Sequence, residues 1–278
     1  MTVIERHPLN EDFAWSTCAP PFRWISQDQA AEFDERGFFV LPNALDPATV
    51  SGLLEEIDPI EAEFESRLRQ MEGKRAFIAR ADEITFSTHL VTRSSRLRRF
   101  VAGSPLVEIC ADLIGPDVRL YWDQAVYKKP DTVASFPWHQ DNGYAFLEPQ
   151  QYLTCWIALT DATEENGCPW AVPGVHKMGT LAHRVSDTGL VCFDDPDDAV
   201  PAPVDAGGMV VFSSLTPHCT GPNRTSDVRK AYIVQYAPFG AVVIARDTAG
   251  EGQRIPADAP KRQFVVLDDG QPGSVGTP

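Results

Sequence analysis

Several things are scarce in this 278-residue chain, and each scarcity closes off a class of function. Basic charge is short: 24 Lys and Arg stand against 39 Asp and Glu, a formal net charge of −15. Nucleic acid is recognised first through a basic footprint, so no nucleic-acid partner is expected. No apolar run approaches the roughly 20 residues that a membrane span requires. The opening "MTVIERHPLNEDFAW" lacks the basic-then-apolar layout of a signal peptide. A cytoplasmic protein with no membrane partner is the expectation. The six cysteines, Cys18, Cys110, Cys155, Cys168, Cys192 and Cys219, never form C-x-x-C. Reduced, mostly buried thiols follow, rather than a disulfide framework or a zinc site. There is no internal repeat.

What is present is a change of texture near residue 117. Before it the chain reads as helical with one strand. Ser26 and Gln29 form a capping box ahead of "QAAEFDERG", and Gly37 ends that helix. "FFVLP" is a short apolar strand. Asp46 and Pro47 open a second helix as N-cap and first residue. Pro59 is expected to interrupt it before "IEAEFESRLRQ" resumes. "SPLVEICADLIG" reads as a further helix with Ser104 as cap, Pro105 in the first position and Gly115 as stop. After residue 117 come "VRLYWDQAVYKK", "YLTCWIALT", "CPWAVPG", "GMVVFSS", "KAYIVQYAPF" and "RQFVVL". Short strands separated by Gly, Pro and Asp predict a β-sandwich or barrel rather than a parallel sheet. The expected fold is thus β-rich α+β in one domain over residues 1–268. It has a helical part at about 26–115 and a β core at about 117–268. The acidic stretch 185–208 is expected as a surface excursion that shapes a pocket mouth, and 269–278 as a flexible tail.

The one cationic run, "TRSSRLRRF", holds Arg93, Arg96, Arg98 and Arg99. Such a run can hold phosphates, but it is more often a solvated helix face paired with carboxylates. "SFPWHQDNGYAF" places His139 and Asp141 two apart in extended chain, on one side of it. Alone that is a weak signal, and a His among aromatics is more often a hydrogen-bonded core or surface residue. His218 sits where the apolar strand of "GMVVFSSLTPHCTGPN" ends, far along the chain. Two His and one carboxylate make the facial triad of non-haem Fe(II) oxygenases. A turn through Gly221, Pro222 and Asn223 joins two strands, so Thr220 and Arg229 can meet across a hairpin and hold a carboxylate. An Asp partner for Arg229 is the alternative in so acidic a chain. Arg224 lies in the turn and is the poorer anchor. His89, His176 and His183 read as structural residues.

Taken in order, "FDERGFFVLPNALDPATV", "WHQDNGY", "YLTCWIALTDATEENGCPWAVPGVHK" and "GGMVVFSSLTPHCTGPNRTSDVRKAYIVQY" resemble the phytanoyl-CoA dioxygenase family of Fe(II)/2-oxoglutarate-dependent oxygenases. The resemblance spans roughly residues 27–240. It implies a double-stranded β-helix (jelly roll, cupin-like) core with N-terminal helices packed on it. It implies that His139, Asp141 and His218 hold Fe(II). It further implies that Arg229 and Thr220 hold the distal carboxylate of 2-oxoglutarate, and that Trp156 lies against the cosubstrate. Gln124 and Lys128 share a strand face and are candidates to reach the cosubstrate or the substrate. Relatives that halogenate replace the carboxylate ligand with Gly or Ala; Asp141 is retained here, which favours hydroxylation.

The expected activity is O₂-dependent hydroxylation of an unactivated C–H bond of a small molecule, with release of succinate and CO₂. Trp138, Tyr144, Phe146 and Trp170 are candidate substrate contacts. The alternatives are a non-oxidative jelly-roll metalloenzyme using Zn or Ni, or a catalytically silent ligand-binding relative. A monomer or weak homo-oligomer is expected, with nothing to single out a coenzyme A thioester as substrate.

Overall fold

A computed structural model describes residues 4–246 and 252–278. The first element, α1 (Gln27–Arg36), carries the expected capping box between Ser26 and Gln29. It ends at Gly37, whose φ of 87° only glycine adopts freely. β1 (Phe38–Leu41) follows. α2 (Pro47–Gln70) starts at the Asp46 cap as expected, but it runs unbroken through Pro59. Pro59 removes one backbone bond, to the carbonyl of Glu55, and both residues face solvent where water can take that bond. Val50, Leu53, Ile57 and Leu68 are buried on both sides of the proline, and that shared burial holds the two halves in line.

A small hairpin, β2 (Arg75–Ala76) and β3 (Ala79–Arg80), leads into β4 (Ile84–Thr88). The cationic run forms α3 (Ser95–Phe100). Its bland reading holds for Arg93 and Arg96, which pair with Glu63 and Glu55. Arg98 instead turns inward, 3.8 Å from the Phe264 ring centroid, and donates to the carbonyls of Lys261 and Val275. α4 (Leu106–Ile114) begins one residue later than expected, with Pro105 rather than Ser104 in the cap position and no side-chain cap bond. The Gly103 carbonyl accepts from Val107 instead, which leaves Ser104 no role there.

The core strands are β5 (Val118–Lys128) and β6 (Phe136–His139), then the one-turn helix α5 (Asp141–Tyr144). After it come β7 (Leu147–Glu148), β8 (Leu153–Ala158) and β9 (Pro169–Ala171). The excursion holds β10 (Arg184–Ser186), β11 (Gly189–Val191) and β12 (Val200–Pro201). β13 (Met209–Ser213), β14 (His218–Thr220) and β15 (Arg229–Pro238) complete the candidate site. β16 (Val242–Arg246), β17 (Gly252–Pro256), β18 (Val265–Asp268) and β19 (Gln271–Pro272) close the chain.

The major sheet runs β1-β13-β8-β15-β5-β4-β3-β2, with β18 added on β5; a minor sheet runs β12-β9-β14-β6. All pairings among these strands are antiparallel. This is the jelly-roll core. Alternation gives the major sheet two apolar faces. One, with Tyr127, Ile157, Tyr232 and Val234, packs against the N-terminal helices through Phe33, Leu53, Leu97 and Ile109. The other, with Val126, Trp156, Val210 and Ile233, lines the space between the sheets. Each fully buried Phe or Leu in these layers contributes roughly 1.5–3 kcal/mol. Helix packing therefore stabilises the sheet whose opposite face carries the site.

Two regions differ from expectation. The stretch 185–208 keeps Asp194, Asp195, Asp197 and Asp198 exposed. Yet it buries Phe193 against Val172 and Leu181 and pairs β12 with β9, so it is part of the wall rather than a free excursion. The final residues pair as β19 with β18, and Val275 packs on the core.

Candidate metal centre and its two pockets

His139 and His218 are direct partners across the β6–β14 ladder. Asp141 follows on α5. Candidate ligand atoms of the three side chains lie within 4.8 Å of one another. Each imidazole Nε2 is 3.9 Å from Asp141 Oδ1. The other ring nitrogens are engaged: His139 Nδ1 on the Pro137 carbonyl at 2.8 Å and His218 Nδ1 on the Thr216 carbonyl at 2.9 Å. Those bonds require an N–H at Nδ1, which fixes the tautomer and leaves both Nε2 lone pairs for a metal. Burial, with the His218 ring beside it, holds His139 well below the usual imidazole value, so it is neutral. Thr154 Oγ1 donates to Asp141 Oδ2 at 2.5 Å and orients the carboxylate.

The loop between the first two ligands is pinned by residues that the sequence did not flag. Gln140, fully buried, donates to the carbonyls of Gly179 and Leu215 and accepts from Leu181 N–H. Its own N–H donates to His183 Nε2 at 2.9 Å. Gly143 sits so close to His183 that an added Cβ would lie 2.2 Å from the ring. His183 is thus structural, as expected. So are His176, which packs 4.4 Å from Trp15, and His89, 4.2 Å from Trp122.

The triad lies between two cavities. The smaller, about 50 Å³, brings together Gln124, Trp156, Thr220 and Arg229 with all three triad residues. Arg229 is 1% exposed, and its Nε, Nη1 and Nη2 have no hydrogen-bond partner among the described residues. The Asp partner that the acidic composition offered is not there among the described residues. Lys128 stands opposite Arg229 in the ladder. Its Nζ donates to Thr220 Oγ1 at 3.2 Å and to the carbonyls of Thr220 and Gly221. Burial, with Arg229 beside it, pushes the Lys128 ammonium down to about 7; burial pushes Arg229 down to about 10. A buried cation left unpaired costs several kcal/mol, and here two adjoin. The place is built for an anion.

The larger cavity, about 480 Å³, shares Phe86, Gln124, Phe136, His139 and Asp141 with the smaller one. Of the four expected substrate contacts only Tyr144 lines it. Trp138 packs with Val172 and Phe193 on the far side of β6. Phe146 stacks on His7 at 4.8 Å, and Trp170 packs on the sheet interior. Trp138, next to His139, faces away by simple alternation, and a bulge brings Phe136 in instead. His139 pairs with His218 but Phe136 pairs with Thr220, so β6 holds one extra residue. Strict alternation would put Phe136 with Trp138; the bulge turns Phe136 to the metal side, 4.7 Å from the His139 ring. A still larger opening of about 880 Å³, between the N-terminal segment and α4, contains none of the predicted site residues.

Comparison with known proteins agrees with this geometry. The sequence model of the phytanoyl-CoA dioxygenase family matches residues 33–231. A methylphosphonate hydroxylase of Gimesia maris is 27% identical over 218 residues, 76% of this chain and 80% of the relative. The phytanoyl-CoA dioxygenase of Arabidopsis thaliana is 29% identical over 137 residues, 47% of this chain and 48% of the relative. Among solved structures, EvdO2 of Micromonospora carbonacea var. aurantiaca complexed with 2-oxoglutarate is 25% identical with a TM-score of 0.62, covering 81% of this chain and 95% of that one.

Proposed function

The chain belongs to the phytanoyl-CoA dioxygenase family of 2-oxoglutarate-dependent oxygenases, and from that premise we propose that it hydroxylates an unactivated C–H bond of a small molecule. His139, Asp141 and His218 would hold Fe(II), and Arg229 with Thr220 would hold the distal carboxylate of 2-oxoglutarate. When bound, iron with 2-oxoglutarate and O₂ supplies the oxidation, and succinate and CO₂ are the coproducts. The observation that carries the reading is Arg229: a fully buried guanidinium with no hydrogen-bond partner among the described residues, in the same small cavity as a three-ligand metal site.

The chain's own residues do the remaining work. Trp156 flanks Arg229, whose guanidinium carbon lies 5.2 Å from the indole ring centroid, and keeps water from the anion site. Lys128 holds Thr220 in place and adds a second positive charge. Pro137 and Thr216 hold the ligand imidazoles through their carbonyls, and Thr154 holds Asp141. Phe86 and Phe136 wall the junction between the cavities, which excludes water from the reacting carbon. Residues 1–268 act as one domain in this reading, supported by a core cluster that draws on α1 to α4 and the major sheet alike.

Protein supplied with Fe(II), 2-oxoglutarate and O₂ is expected to release succinate, faster with a substrate found by screening small molecules. Absence of succinate under all of these conditions would overturn the proposal.

A further inference from the structure

The larger cavity narrows the substrate by charge. None of its lining residues among those described is Lys or Arg, and its one carboxylate is Asp141, a candidate metal ligand. No protein cation in that lining would balance an anionic group held there, and burying such a group without one is costly. Arg229, the cation that lines the small cavity, lies at the far end of β15. Arg229 and Gln235 share the inner face of β15 six residues apart, about 20 Å along an extended chain. Arg229 opens on the small cavity and Gln235 on the large one.

Three of the uncharged polar residues that line the chamber have side chains without a hydrogen-bond partner among the described residues. The side chains of Gln235 (7% exposed), Tyr121 (8%) and Tyr152 (1%) line it, and none makes a side-chain hydrogen bond to a described residue. Their polar atoms open on the cavity with no protein partner, which leaves all three free to hold a ligand's polar end. A second bulge places Tyr121. Gln235 pairs with Trp122 but Tyr236 pairs with Leu120, which leaves Tyr121 as the extra residue on β5. Without it, Tyr121 would face away from Trp122 and Gln124. Tyr121 and Tyr152 rings are 5.3 Å apart. Burial, more than any neighbouring charge, pushes the Tyr121 phenol up to about 12, so it remains a donor.

These three residues sit on the metal side. Gln235 pairs with Thr154, the residue that holds Asp141. The opposite wall is Phe64, Phe77, Ile78 and Ala79, with Phe77 exposed at the tip of the β2–β3 hairpin. We propose that the chamber takes an uncharged, largely apolar small molecule. One carbonyl or hydroxyl oxygen of it is held by Gln235, Tyr121 and Tyr152, so that a carbon near that oxygen faces the metal. This rests on the oxygenase reading above. It sets the chain apart from its methylphosphonate-hydroxylating relative and disfavours a coenzyme A thioester whose phosphates enter the chamber.

The test uses three probes with one apolar body: 2-acetylnaphthalene, 2-naphthoate and 2-naphthylphosphonate. Each is titrated calorimetrically into the full chain loaded with Zn(II) and 2-oxoglutarate. The ketone is expected to bind about tenfold tighter than either anion. Gln235→Met and Tyr121→Phe are each expected to weaken the ketone roughly fivefold, the loss of one hydrogen bond. An anion that binds as tightly as the ketone, no ketone binding, or ketone affinity unchanged in both variants overturns the proposal. If the ketone preference appears but 2-oxoglutarate does not bind in its own titration, the chamber's preference stands and only the oxygenase reading falls.

Discussion

Two cavities meet at one set of metal ligands, and they are built on opposite principles. The smaller is lined by one buried cation, Arg229, with a second, Lys128, behind it on Thr220. The larger has aromatic walls, no Lys or Arg among its described lining residues, and three buried residues, Gln235, Tyr121 and Tyr152, whose polar side chains have no partner there. The comparison teaches where specificity resides. A fixed cosubstrate needs charge at a set distance from the metal, while a substrate chamber needs shape and one or two hydrogen bonds. The same strand, β15, serves both, with Arg229 near one end and Gln235 near the other.

The largest expected effect is common to both sides. Asp141→Ala is expected to reduce succinate formation to background, while 2-acetylnaphthalene still binds the chamber. Residual turnover near that of the parent would remove the triad from the account. Arg229→Met separates the cavities: the dissociation constant for 2-oxoglutarate is expected to rise roughly a hundredfold, with probe binding in the chamber unchanged. Equal weakening of both would mean that the cavities are not independent. Thr154→Val tests the support of Asp141. Metal affinity, measured by competition with a chelator, is expected to fall by about tenfold, with the chain still folded by circular dichroism.

The smallest effect is a pH dependence confined to the small cavity. Lys128 sits at about 7, lowered first by burial and then by Arg229. An anion on Arg229 favours the charged ammonium, so the bound-state value lies above the free one and binding takes up a proton between the two. Affinity for 2-oxoglutarate is therefore greatest below about pH 7 and falls as pH rises through that window. A change of roughly tenfold between about pH 6 and about pH 8.5 is expected, and Lys128→Met is expected to flatten it. The chamber carries no such group, so ketone binding is expected to be flat over the same range.

The two sides also differed in how far they could be read from the sequence. His139, Asp141, His218, Thr220 and Arg229 stood out because metal and carboxylate chemistry demands particular residue types at particular spacings. The β6–β14 ladder brings the two His together, but Arg229 reaches them from the facing sheet, since β14 and β15 do not pair as the expected hairpin. The helix caps at Ser26 and Asp46 were legible for the same local reason. The chamber was not, because bulges decide its lining. The one in β6 turned Phe136 inward, and the one in β5 turned Tyr121 inward. Neither leaves a mark in the alternation of apolar residues. Phe64 and Phe77 come from the helical part of the chain, and only tertiary packing carries them to the chamber. Gln235 did leave a signal: it is an even number of residues from Arg229 on one strand, hence on the same face.

The central claim is that this triad and Arg229 together bind Fe(II) and 2-oxoglutarate. The most direct measurement is an anaerobic titration of the protein with Fe(II) and then 2-oxoglutarate, followed by the visible charge-transfer absorbance of a keto acid chelated to ferrous iron. The account predicts a saturable band with one equivalent of each. The band should be lost in Asp141→Ala and should require far more 2-oxoglutarate in Arg229→Met. Iron binding with no such band at any 2-oxoglutarate concentration, or an unchanged titration in Arg229→Met, would contradict it.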